Sequence, residues 1–274
     1  MVLQINSNIT AQIGLRNLSE SKQDISKILR NIATGLKINQ ASDDPAGNAV
    51  SEKLRSITEG LDRAESNIQD SASALQVAEG GIEQINGSLQ RIRELSVQAS
   101  NGTLTDADRS IIQTEINQLV EEVDRQASST TFNGQNLLDG TFDSDPLTTQ
   151  SGAQQGETID TTIASLSATS LGVNGFDVST QSAAENSLST IDTALSRVND
   201  QRATIGANVN RLESAQDFVG VARENTLSAL SQIRDADLAA SITDLASAQI
   251  REQSGVAALG QANLIGQNVL QLLK

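Results

Sequence analysis

Histidine, cysteine, tryptophan and tyrosine are absent from this 274-residue chain, and it holds only four phenylalanines and two prolines. Without histidine no side chain titrates near neutrality unaided, so the usual general base is missing; without cysteine there is no thiolate nucleophile. The two commonest soft metal ligands go with them. Only Asp/Glu, Lys, Ser and Thr chemistry is left, enough for a carboxylate pair or a Ser-Lys dyad. Basic residues are scarce as well: 19 Lys and Arg face 34 Asp and Glu, a formal charge of −15. Nucleic acid is a poor partner for such a chain, because duplex affinity comes largely from cations replacing phosphate counterions. No apolar run approaches the roughly 20 residues of a membrane span. The start MVLQINSNIT lacks the charged, apolar and small-residue stages of a cleaved secretory signal. These absences alone describe a soluble cytoplasmic protein with no membrane, metal or cofactor requirement.

With so few aromatics, the core must come from Leu, Ile, Val and Ala, a composition suited to long helices packed side by side. The sequence carries that pattern twice. Leu54, Leu61, Ile68, Leu75, Ile82 and Leu89 form one row at seven-residue spacing, and Ile57, Ala64, Ser71, Ala78, Ile85 and Ile92 form the other. This is a coiled-coil seam, and a helix from Ala46 to Ser100 would run roughly 80 Å. Asp43 and Asp44 can cap it, Pro45 suits its first position, and Asn101-Gly102 stops it. Thr105 with Asp108 predicts a capping box for a shorter helix marked by Ile112, Ile116, Leu119 and Val123.

The second long seam has one row at Ile191, Val198, Ile205, Leu212, Val219, Thr226, Ile233 and Ala240. Leu188, Leu195, Val209 and Leu230 start another, which Arg202, Gln216, Arg223 and Asp237 interrupt, so that row reads as the edge of the stripe. Between the two seams, from Arg125 to Arg197, there is no basic residue, while eight acidic residues contribute −8 to the net charge. This Ser/Thr/Gly-rich stretch, with turns at Asn133-Gly134 and Asn174-Gly175, reads as loops and short strands with a hairpin around Gly156 to Leu171. The expected fold is mainly α, a long antiparallel helical coiled-coil bundle with a small β-hairpin region in the centre of the chain. Both ends add amphipathic stripes: Leu15, Leu18, Ile25, Leu29, Ile32 and Leu36 at the start, and Ile242, Leu245, Val256, Leu259, Leu270 and Leu273 at the finish. Each buries little alone, so the ends should pair with each other or with other subunits, and an isolated monomer should leave them largely unordered.

Chemistry-bearing fragments have ordinary explanations. Asp143-Ser144-Asp145 and Asp235-Ala236-Asp237 lack the ligand register and turn glycine of a calcium loop. Ser21-Lys22 and Ser51-Glu52-Lys53 read as helix surface, since no oxyanion donors accompany them. Gly80-Gly81 and Asn86-Gly87 inside the first long helix signal either tolerated flexibility or the close approach of another helix. Asn8-Ile9-Thr10, Asn86-Gly87-Ser88 and Asn101-Gly102-Thr103 match the glycosylation acceptor pattern by chance. The acidic centre is a solvated surface that could carry O-linked glycan.

Longer segments carry a family signature. LQINSNITA, SKQDISKILRNIATGLKINQASDDPAGNAVSEKLR, LQRIRELSVQASNGTLTDADRSIIQTEINQLVEEVDR, TFNGQNLLDG, LGVNGFDVST and NVLQLLK all resemble bacterial flagellin, over nearly the whole chain apart from about Thr141 to Ser170. The flagellin-like hook-filament junction protein is the alternative; LLDG after FNG and the final residues favour the filament subunit. The resemblance implies inner-layer terminal helices (1–38 and 239–274), outer-core helices (39–140 and 181–238), and a short region (141–180) replacing the usual outer domains. It implies a non-enzymatic subunit polymerising for swimming motility, exported unfolded by the flagellar type III apparatus, which overturns the cytoplasmic expectation. Asn39 to Gly47 matches the connector between the layers. Arg91, Leu95 and Glu115 match positions bound by Toll-like receptor 5; on the seam pattern Arg91 and Leu95 lie off the core rows. The carboxyl-terminal stripe resembles the segment covered by an export chaperone, and filament cap and junction proteins are further implied partners. An intracellular coiled-coil scaffold and a hydrolase are the readings from other classes.

Overall fold

The computed structural model describes residues 8–272. Its elements in chain order are α1 (Ile9–Thr34), α2 (Pro45–Ala99), α3 (Asp106–Ser129), β1 (Thr131–Phe132), β2 (Gln135–Asn136), α4 (Thr141–Ser144), β3 (Leu147–Gln150), β4 (Thr158–Thr161), α5 (Ala168–Leu171), α6 (Gln181–Arg234) and α7 (Leu238–Leu272). The chain forms two compact units, one of residues 1–56 with 225–274 and one of residues 57–224. The expected helical bundle with a small central β region is what the chain adopts.

Helix ends follow the local chemistry. Pro45 opens α2, and the Asp44 carboxylate accepts from the N–H groups of Ala46 and Gly47 at 3.1 and 3.0 Å. Thr105 and Asp108 exchange hydrogen bonds as a capping box at the start of α3. The corner before it is closed by Arg109, only 4% exposed, which donates to the carbonyls of Ala99 at 2.8 Å and Asn101 at 2.9 Å and pairs with Asp106. Arg109 thus satisfies carbonyls that the end of α2 leaves without helical partners.

In the unit of residues 57–224, α2 and α6 run antiparallel. Arg93 meets Asp192 at 2.7 Å, Asn86 meets Asn199 at 3.2 Å, and Arg223 meets Asp62 at 3.0 Å, so numbers rise along one helix as they fall along the other. The α2 rows are buried as their spacing predicts from Leu61 to Ile92, with Ser71 half-buried. On α6 the row Ile191, Val198, Ile205, Leu212 and Val219 is fully buried. The second row differs from expectation. Leu188, Leu195 and Val209 are only half-buried, while Ser187, Ala194, Gln201 and Asn208, also seven apart, take the inward position. Selecting the largest apolar side chains picks the wrong flank here, because the inward row is built from small and amide residues. The long row also stops short of Ala240, which is exposed and belongs to α7 after a break at 235–237.

The central segment is sewn onto these helices by side-chain amides. Gln201 accepts from Ala164 N–H at 3.2 Å and donates to the Thr162 carbonyl at 3.4 Å. Gln113 accepts from Val178 N–H at 2.6 Å and donates to the Phe176 carbonyl at 2.7 Å. Asp124 accepts from Ala168 N–H at 2.7 Å. Each pairing satisfies buried backbone that the irregular segment cannot satisfy itself. The hairpin pairs β3 with β4 antiparallel, Leu147 opposite Thr161 and Gln150 opposite Thr158. It therefore starts before the predicted Gly156 to Leu171 window, and residues 162–171 are loop and α5. The threonine-rich 147–150 strand hides only Thr149, which alternation by hydrophobicity cannot reveal.

The paired glycines divide. A Cβ on Gly81 would come within 2.5 and 2.8 Å of the Thr130 side chain and 3.0 Å of Leu138, whereas one on Gly80 would meet nothing within 4 Å. Close approach is therefore real at Gly81, though by a loop residue and the residue ending α3 and not by a helix flank. Gly81→Ala should lower stability by about 1–3 kcal/mol through overpacking, and Gly80→Ala should raise it by up to about 1 kcal/mol through helix propensity. Urea unfolding followed by circular dichroism measures both; equal effects of the two substitutions would contradict this packing.

Candidate assembly surface

The unit that gathers both chain ends is a two-helix pair. Asn8 caps α1 by accepting from Ala11 N–H and donates across to the Ala262 carbonyl at 3.1 Å. A Cβ on Gly14 would lie 2.8 Å from Leu259, and one on Gly255 would lie 3.8 Å from Leu18. Low numbers on α1 thus face high numbers on α7, and the pair is antiparallel. What lies closest between the helices is small: Ser21, Ala248 and Ala262 are buried, and Gly14 leaves no room for a side chain. Ser21 is consequently an interior residue, as is Ser51 with its hydroxyl on the Asn48 carbonyl, and not the helix surface expected from sequence.

The terminal stripes split into two sets. Leu18, Ile25, Ile32, Leu36, Leu245 and Leu259 are half-buried along the pair. Leu15 at 59%, Leu29 at 49%, Ile242 at 58% and Val256 at 54% exposure point outward, and Ile9, Ile13, Leu238, Ile250 and Leu264 join them. The Leu270 side chain and Leu273 lie outside the described residues. Nine large apolar side chains at this exposure on one helix pair mark it as an interaction surface. Burying the remaining area of each would contribute about 1 kcal/mol. Charge does not oppose contact here: residues 1–56 and 225–274 hold ten basic and nine acidic side chains, whereas residues 57–224 hold nine basic and 25 acidic. The whole net negative charge belongs to the other unit.

Connectors tie the pair to itself. Gly35, in the left-handed region at φ 71°, ends α1, and the chain then bridges antiparallel from Leu36 to Asp235. Lys37 N–H donates to the Arg234 carbonyl at 2.6 Å, and Ala236 N–H to the Gly35 carbonyl at 2.9 Å. In the 39–47 connector, Asp43 accepts from the N–H groups of Asn39 and Gln40 at 3.2 and 3.1 Å and pairs with Lys27 at 3.2 Å. Gly47 is required because a Cβ would strike Ile38, which is 2% exposed, at 2.7 Å. Asp235 accepts from the Ser231 hydroxyl and Asp237 from Ala240 N–H at the start of α7, so this acidic pair serves the connector.

On α2 and α3, Arg91 and Glu115 meet at 2.8 Å, and Arg91 also reaches Glu94 at 3.2 Å. Hydrogen bonds donated to Glu115 and then to Glu94, reinforced by their charges, raise the Arg91 pKa above its ordinary value. Both side chains are half exposed. Leu95 corrects the seam reading. It is 2% exposed and belongs to the core that includes Ile112 and Ile116, because a third helix covers a flank that two rows alone leave open.

Long aliphatic helices, large exposed apolar side chains on the paired ends and a polar centre define a helical protein of the structural class. Residues 5–143 match the bacterial flagellin N-terminal helical region and residues 188–273 the bacterial flagellin C-terminal helical region. The chain belongs to the bacterial flagellin family. It is 40% identical over 282 residues to the flagellar filament 30.7 kDa core protein of Treponema maltophilum, covering 98% of this chain and 99% of that one. Identity to the flagellin of Halalkalibacterium halodurans is 40% over 272 residues, with 98% and 99% covered, and to that of Bacillus subtilis 38% over 304 residues, with 99% and 100% covered. The Bacillus cereus flagellin crystal structure aligns with a TM-score of 0.50 at 31% identity, over 56% of this chain and 88% of that one.

The connector should be acid-sensitive. Desolvation pushes the Asp43 carboxyl up, but hydrogen bonds from Asn39, Lys27 and Gln40 outweigh it and hold the pKa below the ordinary value. A depressed native pKa gives stability that is present above the unfolded value of about 4 and lost as pH falls through the native one. Asp43→Asn should therefore weaken the terminal pair at neutral pH and flatten its stability profile below about pH 4. Hydrogen exchange of α1 amides across that range reads the change; identical profiles for both proteins would exclude a role for Asp43.

Proposed function

We propose that this chain is the self-assembling subunit of a bacterial flagellar filament, a structural molecule for swimming motility. The observation that carries the reading is the antiparallel α1–α7 pair with its outward apolar face in a nearly uncharged unit. A contact that joins two different patches and does not close on itself generates a helical polymer. In this reading residues 1–38 and 239–274 form the inner layer of the filament, residues 39–140 and 181–238 the outer core, and residues 141–180 the short surface region. The assembly residues are Leu15, Leu29, Ile242 and Val256 on the outer face, with Leu18, Ile25, Ile32, Leu36, Leu245 and Leu259 holding the pair, and Leu270 and Leu273 extending the stripe. The ends pair within one chain and gain their outer partner on joining, so that the stability of the pair and polymerisation are coupled.

The family assignment supports an extracellular filament reached by type III export, with a chaperone covering the carboxyl-terminal stripe and with cap and junction proteins at the filament ends. Toll-like receptor 5 is the proposed partner of the monomer. The exposed Arg91–Glu115 bridge across α2 and α3 supports that contact, and the buried Leu95 acts from beneath by shaping the surface.

Two measurements test these readings. Leu15→Glu combined with Ile242→Glu should abolish growth on filament seeds, seen by electron microscopy, with the helical circular dichroism of the monomer unchanged. Removal of residues 1–36 should likewise abolish growth, with the helical signal reduced by the loss of α1 (Ile9–Thr34), and normal filaments from either protein would refute the assembly face. Separately, Arg91→Ala with Glu115→Ala should weaken receptor activation by monomer while leaving its unfolding curve within about 1 kcal/mol of the parent. An unchanged response in reporter cells counts against the receptor site.

A further inference from the structure

The chain contains four Asn-Gly pairs: Asn86-Gly87, Asn101-Gly102, Asn133-Gly134 and Asn174-Gly175. An asparagine followed by glycine is chemically labile, because glycine offers no Cβ to hinder attack by its own nitrogen on the neighbouring side-chain amide. Sequence treats the four alike, and the fold does not.

Three of the pairs are held. Asn86 lies inside α2 and is 7% exposed, its Nδ2 donating to Asn199 and its Oδ1 accepting from Gln90 at 2.6 Å. Helical hydrogen bonding also engages the Gly87 N–H that would have to attack. Asn101 accepts from Thr103 N–H with its side chain, while its carbonyl accepts from Leu104 N–H at 3.3 Å and from the buried Arg109 at 2.9 Å. Asn174 donates its N–H to the Ala168 carbonyl at 3.2 Å and its Nδ2 to Thr169 at 3.3 Å. In each, closing a five-membered ring would break contacts that hold the asparagine in place.

Asn133 has no such restraint. It is exposed, and among the described residues it is the only one other than glycine with a positive φ, 50°, followed by Gly134 at 79°. Its side-chain amide makes no hydrogen bond, and the Gly134 N–H donates none. It forms the tip of a hairpin whose strands, β1 and β2, pair through Thr131 with Asn136 and Phe132 with Gln135, with Leu137 N–H donating to the Thr130 carbonyl at 3.0 Å at the far end from the tip. The tip, Thr131 to Gln135, exposed except at the half-buried Phe132, opens locally at small cost while the buried base holds, which lets the backbone at Asn133 reach the reactive geometry.

We infer that Asn133 is a site of spontaneous deamidation, the first of the four to react in the folded protein. The Gly134 nitrogen loses its proton and attacks Asn133 Cγ; the new N–Cγ bond forms as the Cγ–Nδ2 bond breaks, releasing ammonia. Water then opens the succinimide at Cγ to give aspartate, or at the main-chain carbonyl to give isoaspartate. Aspartate keeps a residue suited to this two-residue turn, whereas isoaspartate adds a backbone carbon and misaligns the turn. Leu137 and Leu138, 2% and 0% exposed, follow β2 directly, so the second product disturbs core residues, among them Leu138, which packs against Gly81. The product also adds one negative charge to the unit that is already acidic. If the filament reading holds, the mark records the age of each subunit; the chemistry itself does not depend on polymerisation.

The test is incubation of the purified full-length chain at mildly alkaline pH, native and in guanidinium, followed by peptide mapping with mass spectrometry and isoaspartyl methyltransferase labelling. In guanidinium all four pairs should convert at similar rates. In the native protein Asn133 should convert several-fold faster than each of the other three, at a rate close to its own in guanidinium. Protection of Asn133 equal to that of Asn86, or faster conversion at Asn101 or Asn174, overturns the assignment.

Discussion

Close antiparallel approach of helices through small residues is the constraint on which the rest of this protein depends. Gly14 against Leu259 and the buried Ser21, Ala248 and Ala262 between α1 and α7 are its clearest form, whereas the inward α6 row of Ser187, Ala194, Gln201 and Asn208 receives the central segment, Ser187 on the Asp177 carbonyl and Gln201 on Thr162 and Ala164. Helix separation is set by the side chains at the contact. Small residues bring backbones close, so the larger Ile, Leu and Val on either side can cover the seam without aromatics. A chain with four phenylalanines can then still bury a continuous core, as the seam rows of α2 from Ile68 to Ile92 show, buried throughout except at the half-buried Ser71.

The same economy leaves polar work to be done by individual side chains. Gln113 and Gln201 each bind a stretch of irregular backbone through both ends of one amide, and Arg109 closes the α2–α3 corner through two carbonyls. Buried backbone in a segment with only two small two-stranded sheets needs such partners. Charge is partitioned as strictly as packing. The unit built from the chain ends is nearly neutral and presents its apolar face outward, while residues 57–224 hold 25 acidic side chains against nine basic ones. Exposed apolar side chains and net negative charge therefore belong to different parts of the molecule.

Legibility followed regularity. Strict heptads disclosed α2, its caps and the buried half of α6, because a 3.5-residue repeat records which face is covered. Where the covering partner is a third element, the repeat fails: Leu95 reads as surface until α3 lies on it, and the true second row of α6 hides behind more hydrophobic neighbours. The hairpin was misplaced for a related reason, since a strand of threonines and glutamine that buries one hydroxyl-bearing side chain carries no apolar alternation. Within the candidate surface, the terminal stripes were visible as stripes, but their division into Leu18, Ile25 and Leu245 along the pair and Leu15, Ile242 and Val256 outside was not. An amphipathic pattern reports that a face is apolar without naming what covers it.

Sequence by itself determined the elements and the exclusions: long aliphatic helices, their caps, an acidic centre, and no inventory for ordinary catalysis. These follow from local propensity, spacing and composition, which act over a few residues. Only the tertiary structure decided which apolar residues are spent on intrachain pairing and which remain for a partner, which glycine is a packing requirement, and which of four identical Asn-Gly pairs is left unrestrained. Those outcomes depend on residues dozens to hundreds of positions apart, such as Asn8 with Ala262 or Gly81 with Thr130, and no local pattern encodes a meeting at that distance.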